Sequence, residues 1–515
     1  MNGAECLLRT LLAGGVDTCF MNPGTSEMQF VSALDRVPAM RGVLCLFESV
    51  CAGAADGYAR MLHRPAATLL HLGPGLGNAI SNLHNARKAR SPVVNIVGQH
   101  STRHLRYDAP LTADIEGIAR PVSGWAKTVE HAADMGRDAS AAVRAARTPP
   151  GQVASLIVPA DFSWSDAGEP APLQPLPARA VPDAGRIRCA AAALRSGEPA
   201  ALLLGGSALL GAALHAAGRI AAATGARVFA GRYLARMECA GGRFTPPRLP
   251  YFPEPAEAAL AGLKHLILVE SPPPISFFGY PGRRSYLAPD DCAVHTLAAL
   301  EEDGAAALAA LLRQCAAECC DPPPAAHPVA ELPRGAPLTP ETIGRALAVL
   351  MPPRAIISEE AVSSGEAILR QLAPAAAFDH LPVTGGSIGQ GLPVALGAAV
   401  ACPGRKVIAL EADGSGMYSL QALWTMARER LDVVTVIMAN RRYRILDIEM
   451  QRTGAGAPGP AADAMLDLHR PELDWVKLAE GQGVEAARVQ TADEFIARFR
   501  RAVEQSGPYL IEAVL

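Results

Sequence analysis

The sequence carries no surplus of charge: 47 Lys and Arg stand against 50 Asp and Glu, for a net charge of −3. No basic stripe interrupts that balance, so nucleic acid is not an expected partner. Long apolar runs are also missing. The best candidates are broken by Gly, Pro or charged residues within about 20 positions, so no membrane-spanning segment is expected. The opening stretch MNGAECLLRTLLAGGVDTCF lacks a basic region and a small-residue cleavage site, and no secretory signal is expected. The 11 cysteines are odd in number and scattered, which argues against a disulfide framework and for free thiols in a reducing, cytoplasmic setting. Cys315, Cys319 and Cys320 cluster in LLRQCAAECC, but three thiols without a fourth ligand are weak grounds for a metal site.

What is present is an ordinary globular balance, 50% hydrophobic and 19% charged, over a length that implies about two to four domains. Two proline-rich stretches, 166–185 and 319–338, lack apolar periodicity and read as linkers. They separate segments 1–165, 185–318 and 338–515. Each segment alternates short aliphatic runs with Ala/Leu-rich helical stretches. RGVLCLF, AATLLHL and SPVVNIVG are examples in the first, KHLILVES in the second, and KVIALEADG and DVVTVIMAN in the third. Strand–helix alternation predicts an α/β chain of three doubly wound parallel-sheet domains. GGSALLG (205–211) follows a strand but lacks the full dinucleotide spacing, so tight packing explains its glycines better.

The stretch ADGSGMYSLQALWTMARERLDVVTVIMAN places Asp413 and Asn440 at the carboxyl ends of two strands joined by a crossover helix. Ligands bind at that edge of open parallel sheets. Gly414 and Ser415 offer backbone amides at a helix start, where a diphosphate would be held. Asp413 and Asn440 supply the hard oxygens that Mg²⁺ prefers. Taken alone, a helix-capping Asp and a turn Asn would explain the pair equally well.

Four segments in order break that tie. They are NPGTSEM (22–28), LFESVCAGAADGYAR around Glu48, LLHLGPGLGNAISNLHNA around His71, and LPVTGGSIGQGLPVALG (381–397). With Ala412-Asp413-Gly414 and Ala439-Asn440, they resemble the thiamine-diphosphate-dependent decarboxylase and carboligase family, in its benzoylformate-decarboxylase and acetolactate-synthase branches. The metal motif departs from the family pattern at Ala412 and Ala439 and keeps both metal-binding side chains.

The resemblance implies pyrimidine-binding, central and diphosphate-binding domains in that order. It implies Glu48 as the carboxylate that bonds the aminopyrimidine ring nitrogen, His71 as acid–base, and Thr25 as a hydroxyl for the substrate carboxylate. Gly386 would offer its carbonyl to the cofactor, Ile388 would wedge beneath it, and Ser363 would contact phosphate beside Gly414 and Ser415. Mg²⁺ would be held by Asp413, Asn440 and the carbonyl of Arg442. Leu111, Phe278 (or Phe277) and Ile445 would line the substrate pocket, with Phe278 near the place of the family's second histidine. Ile445 stands where a small residue would admit a phenyl ring, so a smaller or aliphatic 2-oxo acid is expected.

The expected activity is a 2-oxo acid decarboxylase that can also ligate its product to an aldehyde. An acetolactate-synthase-like carboligase is the alternative, and a non-catalytic binding protein with the same fold is the alternative of another class. No FAD fingerprint is found between 185 and 318, and FAD is expected to be absent. The resemblance further implies a homodimer or homotetramer with the site between subunits.

Overall fold

The computed structural model describes residues 1–322 and 330–515. Part of the second linker, 323–329, therefore lies outside the described residues. Three sheets form. In the first, the strands run in the spatial order Arg41–Leu44, Thr18–Asn22, Ala66–Leu70, Val93–Gln99, Val153–Pro159, Trp125–Thr128, all parallel. The second is a four-stranded parallel sheet of Ala293–Ala298, His265–Val269, Ala200–Leu204 and Arg227–Ala230. The third runs Glu485–Val489, Tyr509–Val514, Val433–Ala439, Val407–Ala412, Ala355–Glu360, Phe378–Pro382 and ends on Met237–Cys239. The central strands VVNIVGQ and VVTVIMA are buried along their whole length, as strands covered on both faces must be.

The expected three-domain α/β plan is observed, with one departure. Met237–Cys239 comes from the central segment and pairs antiparallel with Phe378–Pro382, Phe378 opposite Cys239. A three-residue strand with charged neighbours protects that sheet edge from further pairing. The pairing is pinned by Arg236, which donates to the Asp379 carboxylate at 2.7 Å. FDHLP gave no strand signal, because its alternation is broken by His380 and by Asp379, whose arginine partners are distant in sequence.

The first and third domains lock together through two helices, Glu48–Leu62 and Gly391–Ala401. They cross so closely that a Cβ at Gly397 would collide with the Ala54 carbonyl, and one at Gly57 with that of Val394. A fully buried Asp56–Arg60 ion pair stands beside the crossing. Arg60 also donates to the Pro382 carbonyl at 2.8 Å, and Gln390 donates to Asp56 at 2.8 Å. Gly397→Ala should therefore cost about 1–3 kcal/mol by overpacking. A denaturant midpoint equal to that of the wild type would refute this close crossing.

Candidate functional site

Strand register fixes the first half of the site. Leu70 pairs with Val97, so His71 leaves its strand level with Gly98. Leu72 follows with φ +53, a left-handed conformation that a non-glycine residue adopts only under constraint. His71 Nδ1 lies 2.7 Å from Glu27 Oε2, and Glu27 also accepts from the Gly24 amide at 2.7 Å. Burial pushes the Glu27 carboxyl up, against the lowering pull of Gly24 and His71. Glu27 sits directly over Gly98, where any Cβ would collide with it, and Gly24 leaves room for the His71 ring in the same way.

Glu48 opens helix Glu48–Leu62 and is buried. Its Oε2 accepts from Asn78 at 3.0 Å. A Cβ at Gly75 would lie 3.2 Å from Glu48 Oε1 and 3.4 Å from His71 Cβ, so the two side chains converge on one glycine. Thr25 is exposed and directly follows Gly24, the residue packed on the His71 ring.

The second half lies at the carboxyl edge of the third sheet. Asp413–Gly416 forms a single helical turn after Val407–Ala412. Asp413 is buried and accepts from the amides of Gly414 and Arg441. Burial outweighs those bonds and pushes its carboxyl up to about 6. Asn440 Oδ1 accepts from the Arg442 amide at 3.0 Å, and the Arg442 carbonyl accepts from the Arg444 amide at 2.8 Å. Each of these oxygens keeps a second lone pair. The carboxylate, the amide oxygen and the carbonyl are therefore a hard-oxygen set of the kind divalent cations take. Arg441 (φ +57) and Val362 (φ +46) are strained non-glycines beside Asn440 and Ser363. Ser363 is half-buried in the turn before helix Gly365–Arg370.

The loop bearing Gly386 and Ile388 is held by the first domain. Asn85 donates to the Ser387 carbonyl at 2.7 Å, and Asn82 to the Gly389 carbonyl at 3.1 Å. Gly386 (φ +78) and Gly389 (φ +90) both need glycine. Gly386 packs against the Phe277 ring, while Phe278 is 52% exposed. Leu111 is also exposed, and Ile445 is half-buried at the start of helix Arg444–Arg452. Glu48 bonds only Asn78, and Asp413 bonds only the two backbone amides, so among the described residues no hydrogen bond joins these two carboxylates.

Comparison with known proteins now decides the family. Residues 1–118 match the thiamine pyrophosphate enzyme N-terminal TPP binding domain, and residues 366–513 match its C-terminal TPP binding domain. The chain is 52% identical to "Putative acetolactate synthase large subunit IlvX" of Mycobacterium tuberculosis, over 100% of this chain and 99% of that protein. The chain belongs to the thiamine pyrophosphate enzyme family. It is also 31% identical to benzoylformate decarboxylase of Pseudomonas aeruginosa over 97% of this chain and 96% of that one. A solved 4-hydroxybenzoylformate decarboxylase from Rhodococcus jostii RHA1 superposes with a TM-score of 0.86 at 27% identity, covering 99% of this chain and 98% of its own. The protein is thus a thiamine-diphosphate-dependent enzyme of the decarboxylase and acetolactate-synthase group. No helix among the described residues is long and apolar enough to cross a membrane.

Two acidic residues escaped the sequence reading. Glu360 accepts from the amides of Gly389 at 2.8 Å and Gly391 at 2.6 Å, bracing the loop from below. Glu411 faces it, bonded by the Ser415 hydroxyl, with its other oxygen buried and unpartnered. Burial pushes Glu360 up to about 7, and burial with the neighbouring Glu360 charge pushes Glu411 well above its ordinary range. The only signal was an acidic residue inside the apolar run VIALEA.

A carboxyl whose folded pKa is raised stabilises the fold least when ionised. Stability from this pair is therefore full below about pH 4.5 and is lost as pH rises through about 7. Glu411→Gln should flatten that loss and leave the variant more stable than the wild type at pH 8. Denaturant titrations at pH 5 and pH 8 read it directly. Equal pH slopes in the two proteins would show that Glu411 is not held protonated by its surroundings.

Proposed function

We propose that the protein decarboxylates a 2-oxo acid with thiamine diphosphate and Mg²⁺, the released acyl equivalent being open to ligation with an aldehyde. The convergence of Glu48 and His71 on Gly75 carries this reading, because it sets a buried carboxylate beside an imidazole at a ligand-binding sheet edge. The cofactor supplies an electron sink for the carbon–carbon bond that breaks. Glu48 would hold a proton at the aminopyrimidine ring nitrogen, and Asp413, Asn440 and the Arg442 carbonyl would hold the Mg²⁺ that neutralises the diphosphate. Gly414 and Ser415 would present amides to that diphosphate, and Ser363 would add a hydroxyl. Gly386 and Ile388 would lie under the rings, and Thr25 and His71 would meet the substrate carboxylate. Ile445 narrows the pocket opposite Leu111 and Phe278, which favours a small or aliphatic 2-oxo acid by about 1–3 kcal/mol.

Exposed apolar side chains beside the residues of both half-sites support assembly around a two-fold axis. Leu46 beside Glu48, Tyr418 beyond Ser415 and Leu446 beside Ile445 are all exposed apolar side chains at those edges. A homodimer would cover them, and a homotetramer would pair two such dimers. An active monomer in sedimentation would end this part of the reading.

A carboligase joining two 2-oxo acids is the second reading, favoured by the name of the 52% identical relative. Flavin is not part of it. At the carboxyl edge of the central sheet the Glu270 carboxylate accepts from the Ser207 amide at 2.6 Å and the Gly304 amide at 2.8 Å. Those helix-start amides are the ones a nucleotide phosphate would need. CO₂ release across pyruvate, 2-oxobutanoate and benzoylformate, with products identified, separates the readings. Benzoylformate as the clear best substrate would overturn the small pocket. Acetolactate from pyruvate would favour the second reading, and no CO₂ despite bound cofactor would favour a non-catalytic protein.

A further inference from the structure

Helix Arg444–Arg452 carries Ile445, Glu449 and Arg452 at positions i, i+4 and i+7, so the three share one face. The central domain grips that face at two points. The Tyr280 hydroxyl donates to Glu449 Oε1 at 3.0 Å, across 169 positions of sequence. Tyr280 is buried, and burial with the Glu449 acceptor pushes its phenol up to about 12, so it stays a neutral donor. The Arg452 guanidinium lies 3.9 Å over the Phe252 ring and 5.3 Å from the centre of the Tyr280 ring. It also pairs with Glu254, in the first turn of helix Pro253–Leu260, and Arg283 holds Glu254 at 3.1 Å. A planar guanidinium stacked on rings and paired with a carboxylate has little freedom to shift.

Tyr280 stands two residues past Phe278 and three past Phe277. Phe277 fills the space beside Gly386 where a Cβ would point, and it packs on Tyr233 and Tyr251 at 5.4 and 5.5 Å between ring centres. Phe278 meets Phe277 edge-on at 4.6 Å, and its carbonyl accepts from the Ser276 hydroxyl at 2.7 Å. The short segment 276–280 thus touches the Gly386 loop with one side chain and the Ile445 helix with another.

We propose that Tyr280, Glu449 and Arg452 form a latch by which the central domain sets the width of the substrate pocket, and with it the size of 2-oxo acid accepted. The inference rests on the decarboxylase reading above, in which Ile445 and Phe278 face the substrate side chain. The three are positioning residues that act through the helix bearing Ile445. With the latch closed, that helix and Phe278 are held at one spacing. Loss of the Tyr280 hydroxyl leaves Glu449 without its donor and loosens the helix, so a bulky substrate gains room and a small one loses contact.

The test uses the full chain loaded with thiamine diphosphate and Mg²⁺. Tyr280→Phe keeps the ring against Arg452 and removes only the hydroxyl. Its kcat/KM for 2-oxobutanoate relative to benzoylformate should fall about tenfold. The change should fall on KM, with kcat on 2-oxobutanoate and cofactor affinity near those of the wild type. Glu449→Ala should behave alike, and Glu449→Gln, which still accepts from Tyr280, should keep wild-type selectivity. Tyr280→Phe combined with Glu449→Ala should be no worse than either alone, because both remove one bond. Amide exchange along residues 444–452, read by mass spectrometry, should quicken about tenfold in Tyr280→Phe. Unchanged selectivity in Tyr280→Phe, additive losses in the double variant, or unchanged exchange overturns the latch. Failure of the wild-type protein to release CO₂ from any 2-oxo acid would sink the functional reading instead, and the exchange rates would then decide the latch by themselves.

Discussion

Glu48→Gln should bind thiamine diphosphate like the wild type and lose about 10²–10⁴-fold in kcat. Glutamine keeps the length of the side chain and its acceptor oxygen toward Asn78, so the fold around Gly75 should survive. It cannot hold or release a proton at the aminopyrimidine nitrogen. Two measurements separate these effects. Cofactor at about a hundredfold excess over Kd should stabilise the variant by the same ~2.7 kcal/mol as the wild type. CO₂ release should collapse. Wild-type rates would remove Glu48 from the chemistry, and loss of cofactor binding would make it a binding residue instead.

Asp413→Asn should have the opposite pattern, with binding lost and the apo fold improved. The buried Asp413 carboxyl is pushed up to about 6. The folded apo protein therefore holds this proton more tightly than the unfolded chain does. The stability it contributes is full below the ordinary aspartate pKa near 4 and is lost as pH rises through about 6. At pH 8 the neutral amide should make the apo protein more stable, by less than the ~3 kcal/mol of relieved ionisation, because its NH₂ faces one of the two backbone N–H groups. It still accepts from one of the two amides that Asp413 now binds. The same change removes the charge a divalent cation needs, so the Mg²⁺-dependent stabilisation by cofactor should fall to near zero. Unfolding scans of the apo and loaded proteins at pH 5 and pH 8 test both halves. Undiminished Mg²⁺-dependent stabilisation would sink the metal assignment.

Positions set by local pattern were readable in advance. Asp413, Asn440 and His71 directly follow strands and Glu48 opens a helix, and a strand end shows in sequence as an aliphatic run that stops at Gly or at a polar residue. Partners brought together across strands were less readable. Glu27 lay inside the NPGTSEM motif, but its bond to His71, 44 positions later, follows only from the lateral order of Thr18–Asn22, Ala66–Leu70 and Val93–Gln99. Phe277, rather than Phe278, packs on Gly386, a choice made by the turn of a segment without regular structure. Glu360 and Glu411 meet because their strands are paired in register, Glu360 opposite Glu411.

The sequence alone determined the three α/β units, their order and the carboxyl-edge positions of the candidate site residues, because alternating apolar strands and helices leave few ways to cover a parallel sheet. Only the tertiary structure decided that Glu360 is buried beside Glu411, that Glu27 meets His71, and which glycines admit a close helix crossing. Those outcomes depend on lateral strand order and on desolvation by neighbours distant along the chain, and neither is written in any local stretch of residues.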